Sequence, residues 1–487
     1  MNSTNTGRRT KFYDAVLAKR LFTYLRPYRR VVGVSVTLLL ILSGLRLVGP
    51  YLLKIAIDES IPRNDTGQLQ TLTFLFVLVL FLQFGVGFVQ TYATNWTGQR
   101  IMHDLRRKIF RHIQKLDVAY FDKKSTGSII TRLTNDVDVL NELFTSGVVS
   151  VFGDIFSLLG IVAVMLWINW KLALVCFSVI PLLFIVTLLF KQRVRGSYRR
   201  VRAAVARINA FLQEMITGMP IVQVFVQEER KLEEFKERNR EHRQANLDSI
   251  FYYSIFYPVV SLIGTLALAL ILWYGGLQVL NGVLTLGAVV AFVQYSERFY
   301  KPISDLSEKF NILQSAMASS ERIFDLLDTN TLVLAPAVPQ LPSEPGGSIE
   351  FRNVSFRYDA NMPVLKNLSF QVDPGEKVAI VGATGAGKTT LISLLSRFYD
   401  VDRGHIAVDG VDLRLWDPAQ LRQRIAVVLQ DVFLFSGSVA DNIRLWDGRV
   451  SDQAMKEAAD RVLATDFIES MPDGYATILN ERGQSIS

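Results

Sequence analysis

Cysteine is almost absent: the chain has one, Cys176, in 487 residues. A lone thiol inside an apolar block excludes a disulfide within the chain and any site built on several cysteines, and its expected role is packing. A short apolar core with a small-residue cleavage site is missing from the start. Met1–Arg30 is polar and basic, so no removable leader is read there. Internal repeats and low-complexity tracts are not found. Acidic excess is lacking too: 53 Lys and Arg stand against 45 Asp and Glu, a formal net charge of +8. That balance suits a nucleic-acid binder. The basic residues cluster between hydrophobic blocks, however, which fits membrane-flanking segments better, and no nucleic-acid partner is expected.

What the chain has in quantity is apolar sequence. Half of its residues are hydrophobic, and almost all the long apolar blocks lie before residue 300. A membrane helix needs about 20 mostly apolar residues. Six stretches qualify: Val31–Leu53, Thr71–Thr94, Ser146–Trp167, Leu172–Phe190, Ile250–Leu280 and Leu284–Tyr300. The last is the weakest, because Glu297 and Arg298 interrupt it. Lys and Arg crowd the N-terminal tail (Arg8, Arg9, Lys11 and onward) and the segments after the second and fourth blocks, whereas the opposite connections hold only Lys54, Arg63 and Lys171. By the positive-inside rule the tail, both long segments and the C-terminal region face the cytosol. The expected protein is a multi-pass protein of the cell membrane.

Each long charged segment mixes apolar residues at helical spacing with a central turn signal, Ser125-Thr-Gly in one and Thr217-Gly-Met-Pro220 in the other. The expectation is two helices extending the spans, joined by a short crossing helix. The alternative, a solvated loop, accords less well with their length and apolar content.

Three ionisable residues lie inside the blocks: Arg46, Asp154 and Glu297. Such residues face a cavity, a partner or an interface. Arg46 is deep enough to snorkel outward. Asp154 and Glu297 fall at similar depth and could line a vestibule that favours cations, or each could pair with a nearby Arg such as Arg298. Aromatics are dense in Phe251–Tyr257 and at Phe292, Tyr295, Phe299 and Tyr300, and suit an interfacial belt or a substrate wall.

Past Asp328 the pattern changes. Ala335–Gly347 is rich in Pro and Gly, as linkers are. Ser348–Tyr358 and Asn367–Val372 have strand character, and Lys377–Val381 reads as a buried strand feeding a glycine-rich turn. Gly382-Ala-Thr-Gly-Ala-Gly-Lys-Thr389 fits G-x-x-x-x-G-K-[ST]. Glycines at that spacing let backbone N–H groups wrap a phosphate, and the following helix adds its N-terminal dipole. Lys388 then reaches the β- and γ-phosphates of a nucleotide, and Thr389 ligates Mg²⁺.

With these residues in view the chain resembles the ABC transporter superfamily, specifically exporter-type half-transporters whose membrane and nucleotide-binding domains are fused. The resemblance rests on Ile349–Tyr358, the P-loop, Val427–Phe435 with Gln430, Asp441-Asn-Ile443 and Glu481-Arg-Gly483. In the membrane domain it rests on Tyr120-Phe-Asp122, Thr126-Gly-Ser, Asn135-Asp136 and Gln314–Phe324.

It implies a six-helix transmembrane α domain over 1–328, a linker over 329–347 and a partial α/β P-loop nucleotide-binding domain over 348–487. It implies a site for ATP and Mg²⁺ in which Tyr358 stacks on adenine and Gly382, Ala383, Thr384, Gly385, Ala386, Gly387, Lys388, Thr389 and Thr390 hold the phosphates. Thr389 and Gln430 would approach Mg²⁺, with Lys388 and Gln430 taking part in turnover. It implies coupling helices near Val118–Phe121 and Gly218–Val222. A second half-transporter, identical or different, would complete the assembly in membrane lipid.

One departure stands out. Only Ile486 and Ser487 match the start of the family's signature loop. No stretch matches the Mg²⁺-binding Asp, the catalytic Glu or the switch His, so the sequence is expected to be an incomplete copy. The resemblance implies ATP-driven export of amphipathic compounds, of drug, lipid or peptide class. An ATP-gated channel or a regulatory half with weak turnover is the alternative. An importer is disfavoured because the two domains are fused.

Overall fold

The computed structural model describes residues 15–342, 346–359, 361–430 and 433–480. Expectations placed on Arg8, Arg9, Lys11, Asp431, Val432, Glu481-Arg-Gly483, Ile486 and Ser487 lie outside them. The chain divides into two compact units, Met1–Leu116 with Tyr120–Asn330 and Asp117–Ala119 with Thr331–Ser487.

Up to Leu327 every described element is helical. α1 (Ala15–Thr23) precedes α2 (Arg29–Ile55) and α3 (Thr66–Ile113). Next come α4 (Val118–Lys123), α5 (Thr126–Thr131) and α6 (Val137–Glu142), which run through short π-helical turns into α7 (Val149–Phe177). α8 (Ile180–Thr217), α9 (Met219–Val224), α10 (Glu228–Leu280) and α11 (Leu286–Leu327) follow. Local chemistry sets the boundaries. Side chains of Asp65, Ser125 and Thr285 cap α3, α5 and α11 by accepting from backbone N–H groups of the first turn. Gly218 ends α8, and Pro220 sits in the first turn of α9, where a missing N–H costs nothing.

The α7–α8 region departs from the expected spans in one detail. Asn169 is non-helical (φ −159°, ψ 108°) and its side chain accepts from Leu172 N, so the chain turns there. The expected span Leu172–Phe190 is then interrupted at Ser178–Val179. The cause is Pro181, which cannot donate to the carbonyl four residues back.

Four helical runs are long and apolar enough to cross a membrane by length and composition: Arg26–Ser60, Thr66–Ile113, Thr126–Phe177 and Glu228–Leu280. Ile180–Phe190 is a shorter apolar stretch. Phe74, Phe81, Phe84 and Phe88 on α3 are all exposed. At that spacing they share one helical face, which is costly in water and suited to lipid.

Among the described residues three buried apolar clusters hold the helices together, one of them Val179, Leu183, Ile263 and Ala267 between α8 and α10. Leu21 of α1, Ile101, Leu105 and Ile109 of α3, Leu140 of α6 and Phe324 of α11 form a second. Ile161, Met165, Cys176, Ile271, Phe292 and Tyr295 belong to the third. Each fully buried side chain of this size contributes roughly 1.5–3 kcal/mol. Cys176 is buried as expected and its Sγ–H donates to Ser296 Oγ. Phe292, Tyr295 and Phe299 are buried too, so they pack in the core and form neither a belt nor a substrate wall.

Several polar groups inside the helical unit have specific partners. Pro50, inside α2, lacks the N–H that would serve the Arg46 carbonyl, and the Arg298 guanidinium donates to that oxygen instead. Tyr295 Oη donates to the next carbonyl, Leu47 O, at 2.6 Å. Asp136, almost fully buried, accepts from Ser319 Oγ and Arg322 Nε at 2.9 Å each. Two stretches that carried the resemblance, Asn135-Asp136 and Gln314–Phe324, therefore meet. Asp154 is ion-paired with Lys309. Asp154 and Arg46 line one cavity whose lining omits Glu297, so the two carboxylates do not form the shared vestibule there that depth along the helices suggested.

In the second unit an antiparallel sheet has the order β2-β1-β3-β4, with β1 (Ile349–Asp359), β2 (Met362–Val372), β3 (Arg403–Val408) and β4 (Val411–Asp412). α12 (Lys388–Leu395) adds Leu391 and Leu394 to a core with Phe351, Val354, Ile406 and Trp416. α13 (Pro418–Gln423) follows. β5 (Gly437–Ser438), α14 (Val439–Arg444), α15 (Asp452–Arg461), α16 (Thr465–Glu469) and β6 (Ile478–Leu479) surround a smaller core of Val439, Ala459, Ile468 and Leu479. Arg397 is buried, donating to Trp416 O at 3.0 Å and Leu334 O at 2.9 Å, and so ties the linker to this unit.

Lys377–Val381 corrects an expectation. It joins no ladder among the described residues, and Val381 is 89% exposed. A strand needs hydrogen-bonding neighbours, and neither described sheet supplies one for this segment.

Candidate nucleotide-binding site

The glycine-rich turn leads directly into α12. Gly385 (φ +84°) and Gly387 (φ +92°) occupy the left-handed region, which glycine enters without a Cβ penalty. Gly387 caps α12, and a Cβ there would lie 2.9 Å from Leu365 Cδ2 and 3.2 Å from Val364 Cγ1. The strand β2 thus presses on the loop and leaves room for glycine alone. A helix start of this kind presents orphan N–H groups and a partial positive charge of about half a unit.

Lys388 Nζ donates to Gly382 O at 2.8 Å and Ala383 O at 2.9 Å, arching over the loop it belongs to. Ala386 N donates to Ala383 O and tightens the turn. Thr389 is exposed at the second position of α12, with no hydrogen-bond partner among the described residues for its hydroxyl, whereas Thr390 is buried. Tyr358, at the end of β1, donates from Oη to Thr390 Oγ1 at 3.2 Å. Its ring stands edge-to-face against Phe356 and Tyr399, with centroids 4.9 and 5.1 Å away.

Of the sequence-derived residues, Tyr358 and Gly382 through Thr390 therefore come together. Gln430 is exposed, and no hydrogen bond joins it to the loop among the described residues. Tyr399 was missed. The signal for it is weak, an aromatic just beyond α12 in Arg397-Phe-Tyr399.

The chemistry suits an anionic phosphate chain. Free helix-start donors and a lysine now bound only to neutral carbonyls gain charge-assisted hydrogen bonds when phosphate enters. For a divalent ion the fit is partial. The Thr389 hydroxyl is open, but no group of three His, Cys, Asp or Glu side chains able to hold a metal occurs among the described residues. Any such ion would take most of its oxygens from phosphate and water.

Residues 32–303 match the ABC transporter transmembrane region, and residues 365–480 match the ABC transporter family. An ABC transporter ATP-binding protein of Bacillus subtilis strain 168, YknV, is 34% identical over 96% of this chain and 78% of its own length. The ATP-dependent lipid A-core flippase of Syntrophus aciditrophicus is 32% identical over 96% of this chain and 78% of its own. The fatty acid ABC transporter ATP-binding/permease protein of Mycobacterium bovis is 36% identical over 82% of this chain and 63% of its own. A multi-pass membrane region and an ATP-binding region in one polypeptide, with the loop geometry above, make the chain a member of the ABC transporter superfamily in the fused arrangement of exporter-type half-transporters.

Proposed function

We propose that this chain is one half of a dimeric pump that uses ATP to export amphipathic compounds of drug, lipid or peptide class. The observation that carries the proposal is the open P-loop of Gly382–Thr389, fused to helices that expose aromatic faces suited to lipid. The relatives named for lipid and fatty acid transport support the substrate class. Six spans follow if α8 and α11 cross beside the four apolar runs, with the N-terminus and the nucleotide-binding region in the cytosol. The working boundaries are 1–328, 329–347 and 348–487.

In this reading Tyr358 offers a ring face to adenine, and the loop amides hold the phosphates. Lys388 leaves the carbonyls of Gly382 and Ala383 for the β- and γ-phosphates. Bound Mg²⁺ would supply charge neutralisation on the phosphate chain, with Thr389 and Gln430 as the protein groups assigned to it. α4 and α9 serve as coupling helices. The exposed apolar side chains of Ile221, Val224 and Phe225 at and beside α9 suit burial against a nucleotide-binding domain.

The test is Lys388→Ala in the reconstituted dimer. Transport is expected to fall at least about a hundredfold, the scale of losing one transition-state donor, while membrane insertion is unchanged. Undiminished transport would refute the assignment.

A further inference from the structure

A cavity of about 440 Å³ lies between α2, α3, α7 and α11, within the roughly 300–1,000 Å³ typical of small-molecule sites. Its wall is divided. Leu39, Leu42 and Val149 provide an apolar side, and Gln90, Asn95 and Ser150 a hydrogen-bonding side. Three charged residues complete it: Arg46, Asp154 and Lys309.

Their arrangement decides which headgroup fits. Asp154 and Lys309 form an ion pair and offset one another. Arg46 has no carboxylate partner among the described residues, and its guanidinium is a planar cation that offers only N–H donors. Its own backbone oxygen is engaged by Arg298, which brings a second guanidinium to that turn of α2. Glu297 does not line the cavity. Among the described residues, the lining therefore sums to one net positive charge beside an apolar wall. A guanidinium at membrane depth is costly without a counter-ion, and a planar fork of N–H donors matches phosphate or carboxylate oxygens.

We infer that this cavity binds amphiphiles with an anionic headgroup, the phosphate or carboxylate held by Arg46 and the acyl chain lying along Leu39, Leu42 and Val149. The inference rests on the export reading and narrows its substrate class. A membrane lipid headgroup and a free acidic amphiphile share this chemistry.

The full chain in phosphatidylcholine nanodiscs is titrated calorimetrically with dodecyl phosphate, dodecyl maltoside and dodecyltrimethylammonium. Dodecyl phosphate is expected to bind at least about tenfold more tightly than either other probe, the scale of a charge-assisted contact. Arg46→Gln should abolish that preference and Arg46→Lys retain part of it. Asp154→Asn should tighten phosphate binding, because it releases Lys309. Glu297→Gln should leave the preference unchanged. Equal affinities, preference for the cation, an Arg46→Gln variant that still selects phosphate, or weaker binding in Asp154→Asn overturns the inference. If the neutral or cationic probe binds and phosphate does not, the headgroup inference falls while the export reading stands. If none of the three binds, and none is moved by the ATP-driven dimer, both fall. Displacement of the probe by phosphatidylglycerol in the disc assigns the site to a lipid headgroup. Persistence of binding in such discs assigns it to a free amphiphile. Displacement by inorganic phosphate alone reduces it to a simple anion site and overturns the role of the chain.

Discussion

At the scale of single residues, the phosphate loop is governed by Gly387 more than by its neighbours. Its φ of +92° and the nearby Leu365 and Val364 side chains both exclude a Cβ. Gly387→Ala is expected to cost about 1–3 kcal/mol in the nucleotide-binding unit, the range for a residue forced into a sparsely populated backbone region. It should weaken nucleotide binding more than Gly410→Ala, where φ is also positive but nothing lies near. Denaturant unfolding and nucleotide titration of both variants check this, and equal losses would show that backbone strain alone matters. The loop was legible in the sequence because its chemistry depends on short spacing. Arg397 was not. It acts through Leu334 and Trp416, one 63 residues before it and the other 19 after it, and an isolated arginine carries no sign of such partners.

At the scale of elements, two of the ion pairs that fasten α11 differ sharply in weight. Arg322 reaches the buried carboxylate of Asp136, whereas Arg20 of α1 reaches the exposed Asp328 just past α11, with two 2.5 Å contacts. Stranding a buried carboxylate costs about 3–5 kcal/mol, and losing an exposed pair costs roughly 0–1 kcal/mol. Arg322→Ala should therefore lower the thermal midpoint of the helical unit clearly more than Arg20→Ala, and the reverse order would show that Asp136 finds another donor.

The exposed pair carries a pH dependence instead. The Arg20 guanidinium holds the Asp328 carboxyl below its ordinary value. A carboxyl depressed on folding stabilises the folded state above its unfolded pKa, and the gain is lost as pH falls through the folded value. Protection of α1 from proteolysis should decline on acidification below the ordinary carboxylate range, and Arg20→Ala should flatten that decline. A profile unchanged by Arg20→Ala would assign it to other groups. Helix breaks were legible from turn signals such as Ser125-Thr-Gly and Thr217-Gly-Met-Pro220. The failure of Lys377–Val381 to join a sheet was not, because it depends on what the segment meets rather than on its own residues, whereas the break before Pro181 is written in the proline itself.

At the scale of the whole molecule, the single buried cysteine makes orientation measurable. Lys115→Cys and Lys231→Cys should react with a membrane-impermeant maleimide from the same side as Lys366→Cys, and Arg63→Cys and Asn281→Cys from the other. Labelling of Arg63→Cys and Lys231→Cys from one side would rule out the six-span order. The two-part organisation was legible because apolar blocks and a phosphate loop announce themselves in one dimension, while the divided wall around Arg46 arises only when four helices converge. One feature of α10 also has a mechanical side. Its 53 residues contain Pro258, so a stiff rod of about 45 Å, at 1.5 Å per residue, runs from Glu228 to a joint where one backbone bond is missing. Such a rod is a lever with its fulcrum at the proline. A swing of about 10° there carries its far end, beside α9, through about 8 Å on the same arithmetic, so that a slight reseating of α9 becomes leverage on the apolar half of the helix.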